Sequence, residues 1–484
     1  MRNVAKLMLC CALFAAAGCS SYEERAFEFE GMLRSGRYDA AARLAAGEAR
    51  DASDADRLLW QLESGAANRI AGDFRASAAR FADALETVRA WDRRPDTLLS
   101  AEALATLNNM SSLPYRGTGG DRILLSTYQA LNHLSLGERD KARVALNLAL
   151  ERQKEAVAAN AARIEQTQNE TRAARGNYDV GRAERDGRFA GALDNAYGES
   201  RALRGYADYV NPFSVWLHGL FFLHAGDGSA SDLERARISL RRAAEMTGNA
   251  AAREDAESAA AVAAGTGAKP PANVTYVIFE TGLAPVREQV RIDVPLFIAT
   301  TRVPYVGAAF PRLRFRRHFA NTLAISTVAA GTAGAAGSAV APPPPPVSTE
   351  RIANVDAIVA ADFNNALPSV IARTLINAGV KAAASYAVNE ASARSRNAGV
   401  QLAAFVGTFA YSYATTGADL RAWHSLPKEF QIAKLPTPAN RRLRLATGAA
   451  PFVEITLDPG EVNVVHVRSP SETAPLTVSQ FVLR

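Results

Sequence analysis

Six histidines are spread along the 484-residue chain, at His133, His218, His224, His318, His424 and His466. No pair brackets a glutamate at i, i+4, the spacing that puts two zinc ligands and a general base on one helix face, so no zinc-protease site is expected. Gly-x-Ser-x-Gly does not occur, which removes the strained elbow that exposes a serine nucleophile. Ser425-Leu426-Pro427-Lys428 spells Ser-x-x-Lys. That pair works when one helical turn carries the amine to the hydroxyl, and Pro427 opposes a helix there. Gly117, Gly119 and Gly120 precede a helix without the Lys-Ser/Thr of a phosphate loop, and Asp121 is expected as that helix's N-cap. His218 and His224, six apart on a predicted helix, point to different faces. The densest polar and aromatic cluster is Asp419, Arg421, Trp423 and His424. It is expected to be a structural corner, with Asp419 and Arg421 fixing the chain and Trp423 plugging the β layers. The sequence identifies no partner that would make the cluster catalytic. No catalytic residue, cofactor or metal is therefore expected.

These residues sit on two kinds of element. Residues 22 to about 265 are rich in alanine and arginine, with helical periodicity. Gly36-Arg37-Tyr38-Asp39, Gly72-Asp73-Phe74-Arg75 and Gly137-Glu138-Arg139-Asp140 each read as a glycine turn and an acidic helix start. The glycines are 36 and 65 apart, near one and two periods of a repeat of about 34 residues. Asp232 to Arg237 looks like a fourth copy. The hairpin at 121–136 and 139 onward is of the tetratricopeptide kind, so the expectation is a TPR-like α-solenoid. Lys154 to Arg185 interrupts it with a polar helix that either protrudes toward a partner or is simply solvated. Tyr206 to His224 is the most aromatic stretch, with Asn211 expected to cap a helix that opens at Pro212. It reads as a core-facing helix, or as a groove lined by Tyr206, Tyr209 and Trp216. Asp121, Arg122 and Tyr128 are further candidates for partner contact.

A linker at 266–273 leads to a β-rich region, 274–484, with a helical insertion at about 351–416 in which Pro368 opens a new helix. Strands are expected at 274–280, 286–300, 310–317, 322–328, 429–433, 442–446, 452–457, 462–468 and 478–483, forming a small sandwich closed by pairing with 274–317. The expected class is thus multidomain α + β. Arg312, Arg314 and Arg316 share one strand face, the best candidate for an anionic ligand such as a lipid headgroup or a glycan. Its competing reading is a solvated face. No aromatic residues alternate with them, which disfavours nucleic acid.

Location comes from the N-terminus. Arg2 and Lys6 precede the uncharged run Leu7–Ala17, too short to span a bilayer, and Ala16-Ala17-Gly18-Cys19 ends it. This resembles a bacterial lipoprotein box, with 1–18 as signal peptide. The resemblance implies a diacylglyceryl thioether on Cys19, and Ser20 after it implies the outer membrane, periplasmic face. Cys10 and Cys11 would leave with the signal, so no disulfide or thiolate site is expected. Losing Arg2 and Lys6 takes the net charge from +6 to +4.

Four stretches resemble a family of proteobacterial lipoproteins with a helical-repeat first half and a β-rich second half: residues 119–144, 211–227, 276–297 and 418–435. The resemblance implies that fold and a periplasmic envelope assembly, and it carries no catalytic residues. The functional expectation is a lipid-anchored scaffold that docks an envelope protein through a TPR-like groove. The alternative is a glycan- or lipid-binding envelope factor, and a cell-wall enzyme stands behind both.

Overall fold

The first half folds as helical hairpins: Asp73, Thr118, Asn211, Ser229 and Asn249 cap helix starts with their side chains, and Gly36, Gly72, Gly137 and Gly248 turn between helices at positive φ. The computed structural model describes residues 22–94, 113–174, 179–206, 210–295, 305–328, 345–393, 418–448 and 451–484. Its first helices are α1 (Tyr22–Arg34), α2 (Tyr38–Asp51), α3 (Arg57–Ile70) and α4 (Phe74–Asp92). Then come α5 (Gly119–Ser135), α6 (Arg139–Ala174), α7 (Val180–Glu184) and α8 (Gly187–Ala202). The half closes with α9 (Pro212–His224), α10 (Ala230–Thr247) and α11 (Ala250–Ala263). Gly137 turns α5 into α6 at φ 74, a left-handed conformation that costs an L side chain energy. Where α3 crosses α4 the helices touch closely: a Cβ on Gly65 would lie 2.4 Å from the Phe81 ring.

Among the described residues, the second half brings three sheets and one long helix. β1 (Val274–Thr281) is the centre of a five-stranded sheet, in the order β11 (Thr477–Val482), β10 (Val462–Ser469), β1, β7 (Glu429–Pro436), β6 (Glu350–Asn354). β1 runs parallel to β10 and antiparallel to β7. A second sheet has the order β5 (Val347–Ser348), β4 (Ala324–Thr327), β8 (Arg442–Ala446), β9 (Val453–Thr456). Among the described residues, β2 (Val286–Pro295) and β3 (Tyr305–Arg314) pair only with each other, rather than closing the main sheet. α12 (Val355–Ala393) passes through Pro368 without a break, where a new helix was expected. The missing N–H removes one backbone bond. Leu367, Ile371 and Leu375, buried against α8, β2 and β3, hold the helix on course.

Side-chain alternation explains the layering. Val277, Phe279, Val465, Val467, Ala433 and Leu435 leave one face of the main sheet and pack on Ile325, Leu443 and Leu445 of the second sheet. Tyr276, Ile278, Val464, Phe430 and Ile432 leave the other face and enter the same core as the helices. The Phe430 ring stacks on Phe213 of α9 at 4.1 Å between centroids, with planes 8° apart. The element type changes across 266–273, between α11 and β1. The apolar core nonetheless continues across it.

Candidate functional site

The helix-facing side of the main sheet is where charge is buried. Its opposite face packs apolar residues on the second sheet, with Glu429 and Gln431 as buried polar groups on β7, whereas this face carries Glu280, His466, Arg468 and Lys434 among its aromatics. The parallel register sets Glu280 opposite Arg468 and Ile278 opposite His466, so strand parity brings all three polar side chains toward α3 and α5. Glu280 Oε1 accepts from His466 Nε2 at 2.7 Å and Oε2 accepts from the Tyr128 hydroxyl at 3.0 Å. Arg468 Nε lies 3.6 Å from Oε2. Burial works to raise the Glu280 carboxyl, but His466, Arg468 and Arg69 outweigh it and hold it below the usual range. Burial also lowers His466, against the pull of the Glu280 carboxylate, to which its Nε2–H donates.

A cavity of about 40 Å³ opens beside this cluster, lined among others by Arg69, Tyr128, Glu280, Ser425, His466 and Arg468. Behind it Glu63 of α3 accepts from the backbone N–H of His424 at 2.5 Å, and from the N–H and hydroxyl of Ser425. Burial pushes the Glu63 carboxyl up to about 8 against those three donors. Ser425 is thus committed to Glu63, while Lys428 Nζ pairs with Asp356 and the Arg316 carbonyl. The two ends of the Ser-x-x-Lys match serve different partners.

The 418–428 corner is built as structure. Arg421 grips Asp419 through Nε at 2.8 Å and Nη2 at 2.9 Å, and Nη1 donates to the carbonyls of Ala55 and Leu113. Trp423 packs edge-on against the stacked Phe81 and Tyr128 rings rather than between the sheets, because its segment crosses the helices. His424 Nδ1 meets Glu30, whose carboxyl is lowered to about 2: burial opposes this, and His424 with Arg316 reverses it.

Most of the expected contact residues lie inside the fold. Asp121 is buried and is not the N-cap: Thr118 caps α5, and Asp121 at N3 returns a hydrogen bond to the Thr118 N–H in a capping box. Tyr128 is held by Glu280, and Trp216 is fully buried, donating Nε1–H to Asp255 at 3.0 Å. Tyr128 and Trp216 face β1 through Glu280 and Tyr276, and Asp121 is held by the Tyr115 hydroxyl and the Thr118 N–H, so all three are buried within the chain. Tyr206 is half-buried, its hydroxyl accepting from the Asn354 N–H, and Arg122 pairs with Asp92. Cys19 and Tyr209 lie outside the described residues.

The arginine face is likewise corrected. Arg312 and Arg314 share Glu288 across the β2–β3 pair at 2.7 and 3.4 Å. Arg316 falls beyond β3 and is buried in an ion pair with Glu30, because the chain leaves the strand at Arg314 and turns inward.

Arg69, Glu63 and Glu280 are the residues that sequence reasoning missed. Glu280, His466 and Arg468 interrupt otherwise apolar strands at one parity, and that was the readable signal. No group of three metal-ligating side chains is found among the described residues. No helix among them is long and apolar enough to cross a membrane.

His224 gives a pH prediction. Burial lowers it to about 3, and Arg484 and Lys434 add to the effect. Below the unfolded value of about 6.5 the unfolded chain binds a proton that the folded chain refuses, so stability falls as pH drops from 6.5 toward 3. His224→Phe removes this dependence. The variant should gain about 2 kcal/mol on the wild type between pH 7 and pH 5, at about 1.4 kcal/mol per pH unit. Urea midpoints at the two pH values measure it; an unchanged difference would count against a buried neutral imidazole.

Comparison of the chain with protein-family models, curated proteins and solved structures found no match.

Proposed function

We propose that this chain is a lipid-tethered scaffold on the periplasmic face of the outer membrane that docks an envelope protein and performs no catalysis of its own. The TPR-like array is part of this reading, and it is supported by Gly36, Gly72 and Gly137, which all turn between helices at positive φ, and by the close approach of Gly65 to Phe81. Tethering at Cys19 would place the lipid close to α1. Tyr22 is buried, and its hydroxyl donates to the Ala422 carbonyl at 2.7 Å. Three residues of chain reach at most about 10 Å, so a lipid on Cys19 holds the body against the bilayer surface.

The observation that carries docking is α6. Its 36 residues extend about 54 Å, and past Val157 it is mostly solvent-facing. One side of this outer half runs along α12, where Glu170 makes a two-pronged pair with Arg373 at 2.8 and 3.0 Å. Val157 and Ile164, two turns apart, are exposed, at 41% and 49%. Because the chain's own sheet fills the inner face of the array, the partner meets this projecting helix instead of a groove. A photo-crosslinking residue at Ile164 should give one reproducible adduct in intact cells, and the same residue at exposed Phe452 should give none. Equal labelling at both positions would count against a dedicated docking helix.

A further inference from the structure

The cavity beside Glu280 contains a half-used guanidinium. Arg69 is 6% exposed and lines the cavity. Its Nη1 donates to Asn132 Oδ1 at 2.8 Å. Asn132 donates in turn to Ser77 Oγ, which donates to the Gly65 carbonyl. That relay locks one side of the group, and the Phe74 and Tyr128 rings lie 5.4 and 6.0 Å from its centre. The other side is Nε and Nη2, and neither has a hydrogen-bond partner among the described residues. These two nitrogens form one edge of the guanidinium plane, with two parallel N–H bonds spaced to meet the two oxygens of a single acid group. Glu280 is close, but its oxygens are taken by His466 and Tyr128.

The charge count agrees. Arg69 and Arg468 bring two positive charges and Glu280 one negative, which leaves one positive charge to balance. Glu63, behind Ser425, is mostly protonated at neutral pH and does not supply the balance. The interior has room for a group of a few heavy atoms. Gly72 is exposed, and Thr477 and Ser479 are half-buried, so these small residues form the mouth.

The geometry points to a carboxylate-binding site, in which the two oxygens of a monoanionic carboxylate accept from Arg69 Nε–H and Nη2–H while the rest of the ligand leaves between Gly72 and Ser479. A carboxylate satisfies both buried donors and the charge together. A phosphate dianion overshoots the charge, and a neutral amide offers one acceptor where two are needed. The site is independent of the docking helix, since it lies between α3, α5 and the main sheet.

The test uses the full-length chain in detergent at pH 7, with acetate, acetamide and inorganic phosphate titrated at constant ionic strength and binding read by thermal shift and calorimetry. Acetate should raise the melting temperature saturably, acetamide should not, and phosphate should bind more weakly than acetate. Arg69→Lys keeps the charge and loses the fork, so it should weaken acetate binding about tenfold or more. Ser479→Trp, at the mouth and away from Arg69, should also abolish binding with the circular dichroism unchanged; it decides the matter if Arg69→Lys does not fold. A saturable response to acetamide equal to that for acetate, tighter binding of phosphate, no saturable acetate response, or full binding by Ser479→Trp would each overturn the assignment.

Discussion

Phe430→Ala should cost about 3–5 kcal/mol, and the loss should appear in the helices as much as in the sheet. Phe430 is fully buried and belongs by sequence to β7, yet its ring stacks on Phe213 of α9 and lies 6.3 Å from Tyr128 of α5. Removing it opens a cavity where the two halves meet, so neither half can relax without the other. Urea unfolding followed by helical circular dichroism and by tryptophan emission should shift together. Phe452→Ala is the control: that ring is 56% exposed, and its loss should change stability by no more than about 0.5 kcal/mol. Two separated transitions in Phe430→Ala would argue for two independent cores.

Asp255→Ala should be about as damaging, again about 3–5 kcal/mol, for an electrostatic reason. Asp255 of α11 is buried and takes three donors: Trp216 Nε1 at 3.0 Å, the Tyr276 hydroxyl at 2.7 Å and Lys434 Nζ at 2.9 Å. Burial raises its carboxyl above the usual range, and Lys434 with the other two donors works against that rise. Deleting the carboxylate strands an ammonium on β7 with only Glu254, 3.5 Å away, leaves the buried Trp216 Nε1–H unpaired, and leaves the Tyr276 hydroxyl with His224 Nε2 at 3.3 Å. Asp255→Asn keeps one acceptor and should recover part of the loss. If Asp255→Ala and Asp255→Asn both unfold at the wild-type urea concentration, the network carries no stability.

How much of this was legible varies with how local the cause is. The helix cap at Asn211 ahead of Pro212 was readable, because both effects act within three residues. So were β8 at Arg442–Ala446 and the hairpin turn at Gly137. Asp121 was assigned the wrong place in its cap because Thr118, the true N-cap, sits ahead of the glycine pair. The inner faces were harder. Pro212–His224 is buried on all sides, so its pattern has no stripe to say which neighbour covers it. Tyr128 and Trp216 looked like groove residues because a repeat helix presents such side chains to whatever lies inside the curve. What lies there is β1, distant in sequence from both helices: Glu280 meets Tyr128 and Tyr276 meets Trp216. Glu63 and Arg69 lie on α3 with no local motif to single them out. Their significance depends on Ser425 and on Asn132, which no local period relates to them.

Native-state hydrogen exchange is the most direct measurement of the central claim, that the helical array is closed by the chain's own sheet into one cooperative body. The slowest amides of α5 and α9 and those of β1 and β7 should open with the same free energy, within about 1 kcal/mol, and Phe430→Ala should lower both sets equally. Sheet amides that open several kcal/mol more easily than the helices, or a Phe430→Ala effect confined to the strands, would contradict it.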